Sequence, residues 1–159
     1  KEVLEVPCDI LIPAALETQI TTANAELVDA KVVIEAANGP VTPEADDILA
    51  ARGIPVVPDI LSASGGVVVS YFEWAQNLAN ERWSAAEVQD RLRATMREAT
   101  DAMLDSHAEI IDNHDFYRRT WFEATDDATL PELVSMRTAA YAVALRRCRN
   151  ATDQRGIWP

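Results

Sequence analysis

Apolar positions in the first 60 residues come in short dense runs parted by polar turns, and the runs alternate between two periods. Asp9-Ile10-Leu11-Ile12 is a brief apolar run stopped by Pro13, too short for a helix and suited to a buried strand. Thr21 or Thr22 can cap a helix reaching about Ala30, with Leu27 and Val28 on its inner face. Lys31-Val32-Val33-Ile34 is continuous and β-branched, the pattern of a strand covered on both faces. Thr42, with Pro43 at the first helical position, opens a second helix whose Ala45, Ile48 and Leu49 turn inward and which Gly53 ends. Ile54-Pro55-Val56-Val57 reads as a third strand, its Pro55 at the start, where a missing amide does little harm.

Strand–helix–strand–helix–strand with short connections calls for right-handed crossovers and a parallel sheet. Such sheets lie buried within larger ones. Three strands with no covering helix ahead of the first therefore read as the second half of a doubly wound, Rossmann-like nucleotide-binding domain, over residues 1–63. The fold class is α/β, with a C-terminal helical region over 64–159 that completes the cleft.

Beyond Ser64 the period lengthens to that of a helix. Val67, Tyr71, Trp74, Ala75 and Leu78 recur on one face and predict an inward stripe. Ser84-Ala85-Ala86-Glu87 is a capping box, followed by the stripe Val88, Leu92, Met96, Ala99, Met103. Thr129-Leu130-Pro131-Glu132 is a second box, predicting a helix with Leu133, Met136, Ala140, Tyr141, Ala144 and Cys148 inward. Residues 112–128 are polar with Phe116, Tyr117, Trp121 and Phe122, and read as an excursion or lid.

Composition narrows the classes. The 159 residues are 48% hydrophobic and 25% charged, as in globular domains. No apolar run approaches a membrane span, and no basic-then-apolar leader opens the chain. The two cysteines, Cys8 and Cys148, form neither a metal spacing nor a disulfide framework and fit a reducing, cytoplasmic setting. Acids outnumber bases 26 to 14, for a net charge of −12, which argues against a nucleic-acid or anionic-membrane surface. Lysine is scarce, only Lys1 and Lys31, which leaves salt adaptation and an arginine-rich coding bias both open.

Catalytic signatures are few: there is no GxGxxG, no P-loop, no GxSxG, no HExxH and no CxxC. His107 and His114 lie two helical turns apart, but His107 continues the Met103-to-Ile111 apolar stripe and reads as packing, so no metal site is assigned. Cys148 reads as a small core residue and the Arg146–Arg149 cluster as a solvated helix end. Ligands of open parallel sheets bind outside the carboxyl ends of the strands, which selects the loops at Pro13-Ala14-Ala15, Ala37-Asn38-Gly39-Pro40 and Pro58-Asp59. Small Ala14 and Ala15 admit a bulky ligand, and Asn38 offers both donor and acceptor. Gly65 and Gly66 at a helix start cost helical stability, which suggests that something lies against the backbone there. Gly66, Ser70, Glu73 and Asn77 then share one small, polar face, read as a cleft wall.

Several ordered motifs resemble one family. Cys8-Asp9-Ile10-Leu11-Ile12-Pro13-Ala14-Ala15, Glu35-Ala36-Ala37-Asn38-Gly39-Pro40-Val41-Thr42-Pro43-Glu44-Ala45, Val57-Pro58-Asp59-Ile60-Leu61, Gly65-Gly66-Val67, Ser70-Tyr71-Phe72-Glu73-Trp74, Arg137-Thr138-Ala139-Ala140-Tyr141 and Arg155-Gly156-Ile157-Trp158-Pro159 are similar to the glutamate dehydrogenases. The Ser-Tyr-Phe-Glu-Trp run looks like the glutamate enzymes more than the leucine, valine or phenylalanine branch. The resemblance implies reversible deamination of L-glutamate to 2-oxoglutarate and ammonia, with hydride passing to NAD or NADP. It implies that Ala14 and Ala15 line the cofactor ribose and Asn38 holds the nicotinamide side. Val67 and Ser70 would meet the substrate, the Ser70 hydroxyl on its distal carboxylate. One position departs from the pattern: Ala63 stands where the family usually has asparagine, with Ser62 or Ser64 as the neighbouring substitutes. The family's catalytic lysine and aspartate and its glycine-rich fingerprint would lie upstream, so no catalytic residue is assigned, and the segment is expected to be inactive and poorly behaved without the missing N-terminal part of its subunit. The complete subunit is expected to form a homo-oligomer, commonly a hexamer. Two other readings stand beside this one: a cofactor-binding or regulatory module without catalysis, and a dehydrogenase for an apolar amino acid.

Overall fold

The computed structural model describes residues 2–113, 116 and 134–156. The expected excursion over 112–128 lies almost wholly outside the described residues. So do the Thr129–Glu132 capping box, His114 and the closing Ile157-Trp158-Pro159.

Three parallel strands, β1 (Cys8–Leu11), β2 (Ala30–Ile34) and β3 (Val56–Val57), lie in the order β1-β2-β3. Ile10 pairs with Val32, Leu11 with Val33, and Val33 with Val56. Helix α1 (Pro43–Ala51) crosses between β2 and β3. Its Thr42 cap accepts from the Ala45 amide, and Ala45 and Leu49 are fully buried, as the pattern predicts. The helix expected after Thr21 is only a 3-10 turn at Ala25–Leu27. Val28 is buried there, but Leu27 points to solvent. Asn24 closes that segment instead, accepting from Thr21 and donating to the Gln19 carbonyl, a local bonding scheme that competes with helix.

Alternate residues of one strand serve two cores. Val33 and Val56 join Ile20, Val28, Val41, Ala45, Leu49 and Ile54 on the α1 side, while Val57 packs with Leu61, Met103, Ala139 and Ala140 on the other. The second core is built by the helical region. A one-turn α2 (Asp59–Ser62) leads into α3 (Ser64–Ala79), α4 (Ala85–Asp112) and α5 (Met136–Arg155). The Ser84 capping box is present in both halves, with the Ser84 amide 2.8 Å from the Glu87 carboxylate. That bond holds the Glu87 carboxyl below its ordinary value. Among the described residues no helix is long and apolar enough to cross a membrane.

Strand β1 forms the unpaired apolar edge expected of a half-sheet, with Ile10 and Ile12 each 54% exposed, because only β2 flanks it. Two expectations need correction. The stripe Val67, Tyr71, Trp74, Leu78 faces solvent. Helix α3 instead turns Gly65 toward Leu92 and Met96 of α4, and buries Phe72 against Trp83 just ahead of α4. On α5, Ala139 and Ala140 are buried whereas Tyr141 and Cys148 are exposed, so Cys148 is not a core residue. Ser135 caps that helix through the Thr138 amide.

Candidate functional site

All three loops at the carboxyl ends of the strands are tied to one another. The Pro13 carbonyl accepts from the Ala36 and Ala37 amides at 3.0 and 3.1 Å, joining the loop of Ala14 and Ala15 to the loop of Asn38. Ala14, Ala15 and Asn38 are exposed, and the Asn38 carboxamide has no hydrogen-bond partner among the described residues. Gly39 holds φ at +50°, a left-handed turn that a side chain would strain. Its amide donates to Asp59 at 2.8 Å, joining the second loop to the third.

A buried polar cluster that the sequence reading missed underlies these loops. Glu35, the first residue after β2, is 0% exposed. One of its oxygens accepts from the Val41 amide at 3.3 Å and from Arg137 at 2.7 Å, and the other accepts from the Asp59 amide at 2.7 Å. The Arg137 guanidinium, arriving from α5, also meets Asp46 of α1 at 3.1 Å and Asp59 at 3.5 Å. Burial raises the Asp46 pKa more than the Arg137 charge lowers it, so the carboxyl sits above its ordinary value. Burial alone would lower the Arg137 pKa, but the bonds and charges of Glu35 and Asp46 more than offset it, and the guanidinium stays charged. The signal was present in the sequence as two separate motifs: a glutamate ending an apolar strand run, and an arginine opening a helix.

The other expected residues lie on α3, which leaves the end of β3 by way of α2. Gly66, Ser70, Glu73 and Asn77 are all exposed, so the small polar face is open, and Val67 is 73% exposed beside it. A methyl group placed on Gly66 would meet nothing within 4 Å. The one on Gly65 would make ordinary contact with α4, so of the two glycines only Gly66 leaves room for a ligand. The Ser70 hydroxyl has no partner among the described residues. Thr95, Thr100 and Thr152, by contrast, each bond back to their own helix turn.

Neither serine beside Ala63 has a free proton. Ser62 donates to the Glu35 and Pro58 carbonyls, and Ser64 to the Leu61 carbonyl at 2.6 Å. Both hydroxyls therefore brace the chain. His107 is half-buried, with Nε2 2.8 Å from the Val134 carbonyl, a packing arrangement. An open cleft of about 340 Å³ between α1–β3 and α4–α5, bordered by Ala50, Pro55, His107 and Met136, contains none of the expected site residues.

Comparison with known proteins agrees with this geometry. The family model for Glutamate/Leucine/Phenylalanine/Valine dehydrogenase matches residues 1–156. The chain is 46% identical over 156 residues to the NADP-specific glutamate dehydrogenase A1 of Halobacterium salinarum, covering 98% of this chain and 32% of that protein. It is 43% identical, over the same shares, to the NAD-specific glutamate dehydrogenase of Staphylococcus aureus. It superposes on the hetero-hexameric glutamate dehydrogenase of Thermus thermophilus, Leu-bound form, with a TM-score of 0.79 and 34% identity over 99% of this chain and 33% of that one. The chain thus spans about a third of the length of the relatives it matches. A parallel sheet joined at its strand ends to an open helix, together with a family match over 156 of 159 residues, leads to one assignment: the chain belongs to the Glutamate/Leucine/Phenylalanine/Valine dehydrogenase family.

Proposed function

We propose that this chain forms one side of the cofactor and substrate cleft of an NAD- or NADP-dependent glutamate dehydrogenase. In this reading residues 1–63 are the second half of the dinucleotide-binding domain, and residues 64–159 complete the cleft. The reaction is L-glutamate, oxidised cofactor and water giving 2-oxoglutarate, ammonium, reduced cofactor and a proton. The observation that carries this reading is the open face of α3. There an unpartnered Ser70 hydroxyl and the bare Gly66 backbone lie on the helix that leaves the strand ends.

The residues present suit a dinucleotide. Ala14 and Ala15 leave space at the first strand end for a ribose, and the unpaired Asn38 carboxamide offers donor and acceptor at the second. The bound nicotinamide would supply the hydride acceptor. This chain's own residues bind and orient: Ser70 donates to the distal carboxylate of glutamate, and Val67 packs beside the substrate's methylene groups. The acid–base pair belongs to the remaining two-thirds of the subunit, which would also cover the exposed edge of β1 and the Val67–Leu78 stripe. Relatives of near-equal identity are named for NADP and for NAD, so this segment's similarity favours neither. The complete subunit is read as forming a cytoplasmic homo-oligomer, a hexamer; the structure it resembles is named a hetero-hexamer, which supports the number of subunits and not their identity.

The test is the purified full-length subunit assayed with L-glutamate and each cofactor. Glutamate-dependent reduction of NAD or NADP is expected. A full-length subunit that reduces neither overturns the reading and favours a binding module without catalysis.

A further inference from the structure

We infer that Arg137 is a positioning residue: through Asp59 it sets the loop that presents Asn38 to the cofactor. The inference rests on the dehydrogenase reading above and adds to it a residue on α5, outside the strand-end loops.

Three carboxylates converge from three parts of the fold: Glu35 after β2, Asp46 on α1 and Asp59 at the start of α2. Unpaired, they would repel one another, and Glu35 and Asp46 would be left in a buried setting. Among the described residues one cation meets all three. The planar guanidinium does so along separate edges: Nη2 on Glu35 at 2.7 Å, Nε on Asp46 at 3.1 Å and Nη1 on Asp59 at 3.5 Å. A lysine ammonium is a single point on a flexible stem and cannot hold three such directions at once.

These three arms differ in what lies beyond them. The Asp46 arm ends in the first turn of α1, where the carboxylate meets Arg137 and bonds no loop amide. The Asp59 arm continues: one carboxylate oxygen faces Arg137 and the Ile60 amide, and the other accepts the Gly39 amide at 2.8 Å. Gly39 is the left-handed residue next to Asn38. Displacing the guanidinium therefore reaches the Asn38 loop through two carboxylates, Asp59 on the Gly39 amide and Glu35 on the Val41 amide, whereas the Asp46 carboxylate holds no amide of that loop. A purely structural cluster has no such asymmetry.

Full-length subunits provide the test, with NAD and NADP titrated as probes and melting temperature and glutamate KM measured alongside. Asp59→Asn is expected to weaken dinucleotide binding about tenfold. Arg137→Lys is expected to do the same. Asp46→Asn is expected to alter the melting temperature while leaving dinucleotide affinity within about twofold of wild type. Should Asp59→Asn fail to fold, Arg137→Lys is compared with Asp46→Asn in its place. Equal effects of the two arms on dinucleotide affinity, or no effect of either, overturn the inference while leaving the dehydrogenase reading intact. A wild-type subunit that binds no dinucleotide overturns both.

Discussion

Replacing Glu35 with glutamine removes one charge and almost no volume, so its cost comes from hydrogen bonding and charge. The native carboxylate accepts three donors, the Val41 amide, the Asp59 amide and Arg137 Nη2, and is itself fully buried. An amide has one acceptor oxygen. Whichever way the Glu35→Gln side chain is turned, its NH2 group faces a donor: Asp59 in one orientation, Val41 and Arg137 in the other. One charge-assisted bond is lost, worth about 1.5–3 kcal/mol, and one buried donor goes unmet at about 1–3 kcal/mol more. The sum, about 2.5–6 kcal/mol, brackets the usual cost of about 3–5 kcal/mol for breaking a buried ion pair from one side. The loss should be local to the strand-end loops. Amide hydrogen exchange in the full-length subunit is the assay. The Val41 and Asp59 amides should exchange on the order of 100-fold faster or more, since each 1.4 kcal/mol is a factor of ten. Exchange at both positions within threefold of wild type would refute the reasoning, because the cluster would then contribute little to holding the loops.

Two further outcomes follow from the same coordinates. Thr42→Ala removes the cap of α1 and should lower stability by about 1 kcal/mol, read as a shift in urea midpoint with unchanged slope. The Asp46 pKa is raised in the folded state, so the fold binds the extra proton. Its contribution is therefore fully present below the unfolded value of 3.8 and is lost as pH rises through the folded value. Wild type should lose stability relative to Asp46→Asn as pH rises through that window, and a difference that is flat or of opposite slope in pH-dependent unfolding would contradict this.

Local chemistry made much of the fold readable. The Thr42-Pro43 start, the Ser84–Glu87 box and the β-branched run at 32–34 each carry their own signal within a few residues, and each forms as the pattern predicts. The strand-end rule also selected the three loops that prove to be hydrogen-bonded to one another. Periodicity identified α3 as a helix but misassigned its buried face. Two apolar lines run along it, and the one that packs is set by α4 at Gly65 and by Trp83, just ahead of α4, at Phe72. The Glu35–Arg137 pair was hidden for a different reason: its partners are 102 residues apart, and nothing in either motif names the other. The exposed edge of β1 followed from the half-sheet reading and not from its own residues, since an apolar edge strand and a buried one have the same pattern.

The most direct test of the proposed glutamate cleft is Ser70→Ala in the full-length subunit, with kcat/KM measured for glutamate and for norvaline, which lacks the distal carboxylate. A hydroxyl donating to an ionised carboxylate contributes about 1.5–3 kcal/mol, roughly 10- to 150-fold. The carboxylate is bound alike in the ground and transition states, so the loss for glutamate should appear mainly in KM, while norvaline turnover changes far less or rises. Equal, small effects on the two substrates would contradict the account, since Ser70 would then touch no carboxylate and the open face of α3 would not be the glutamate site.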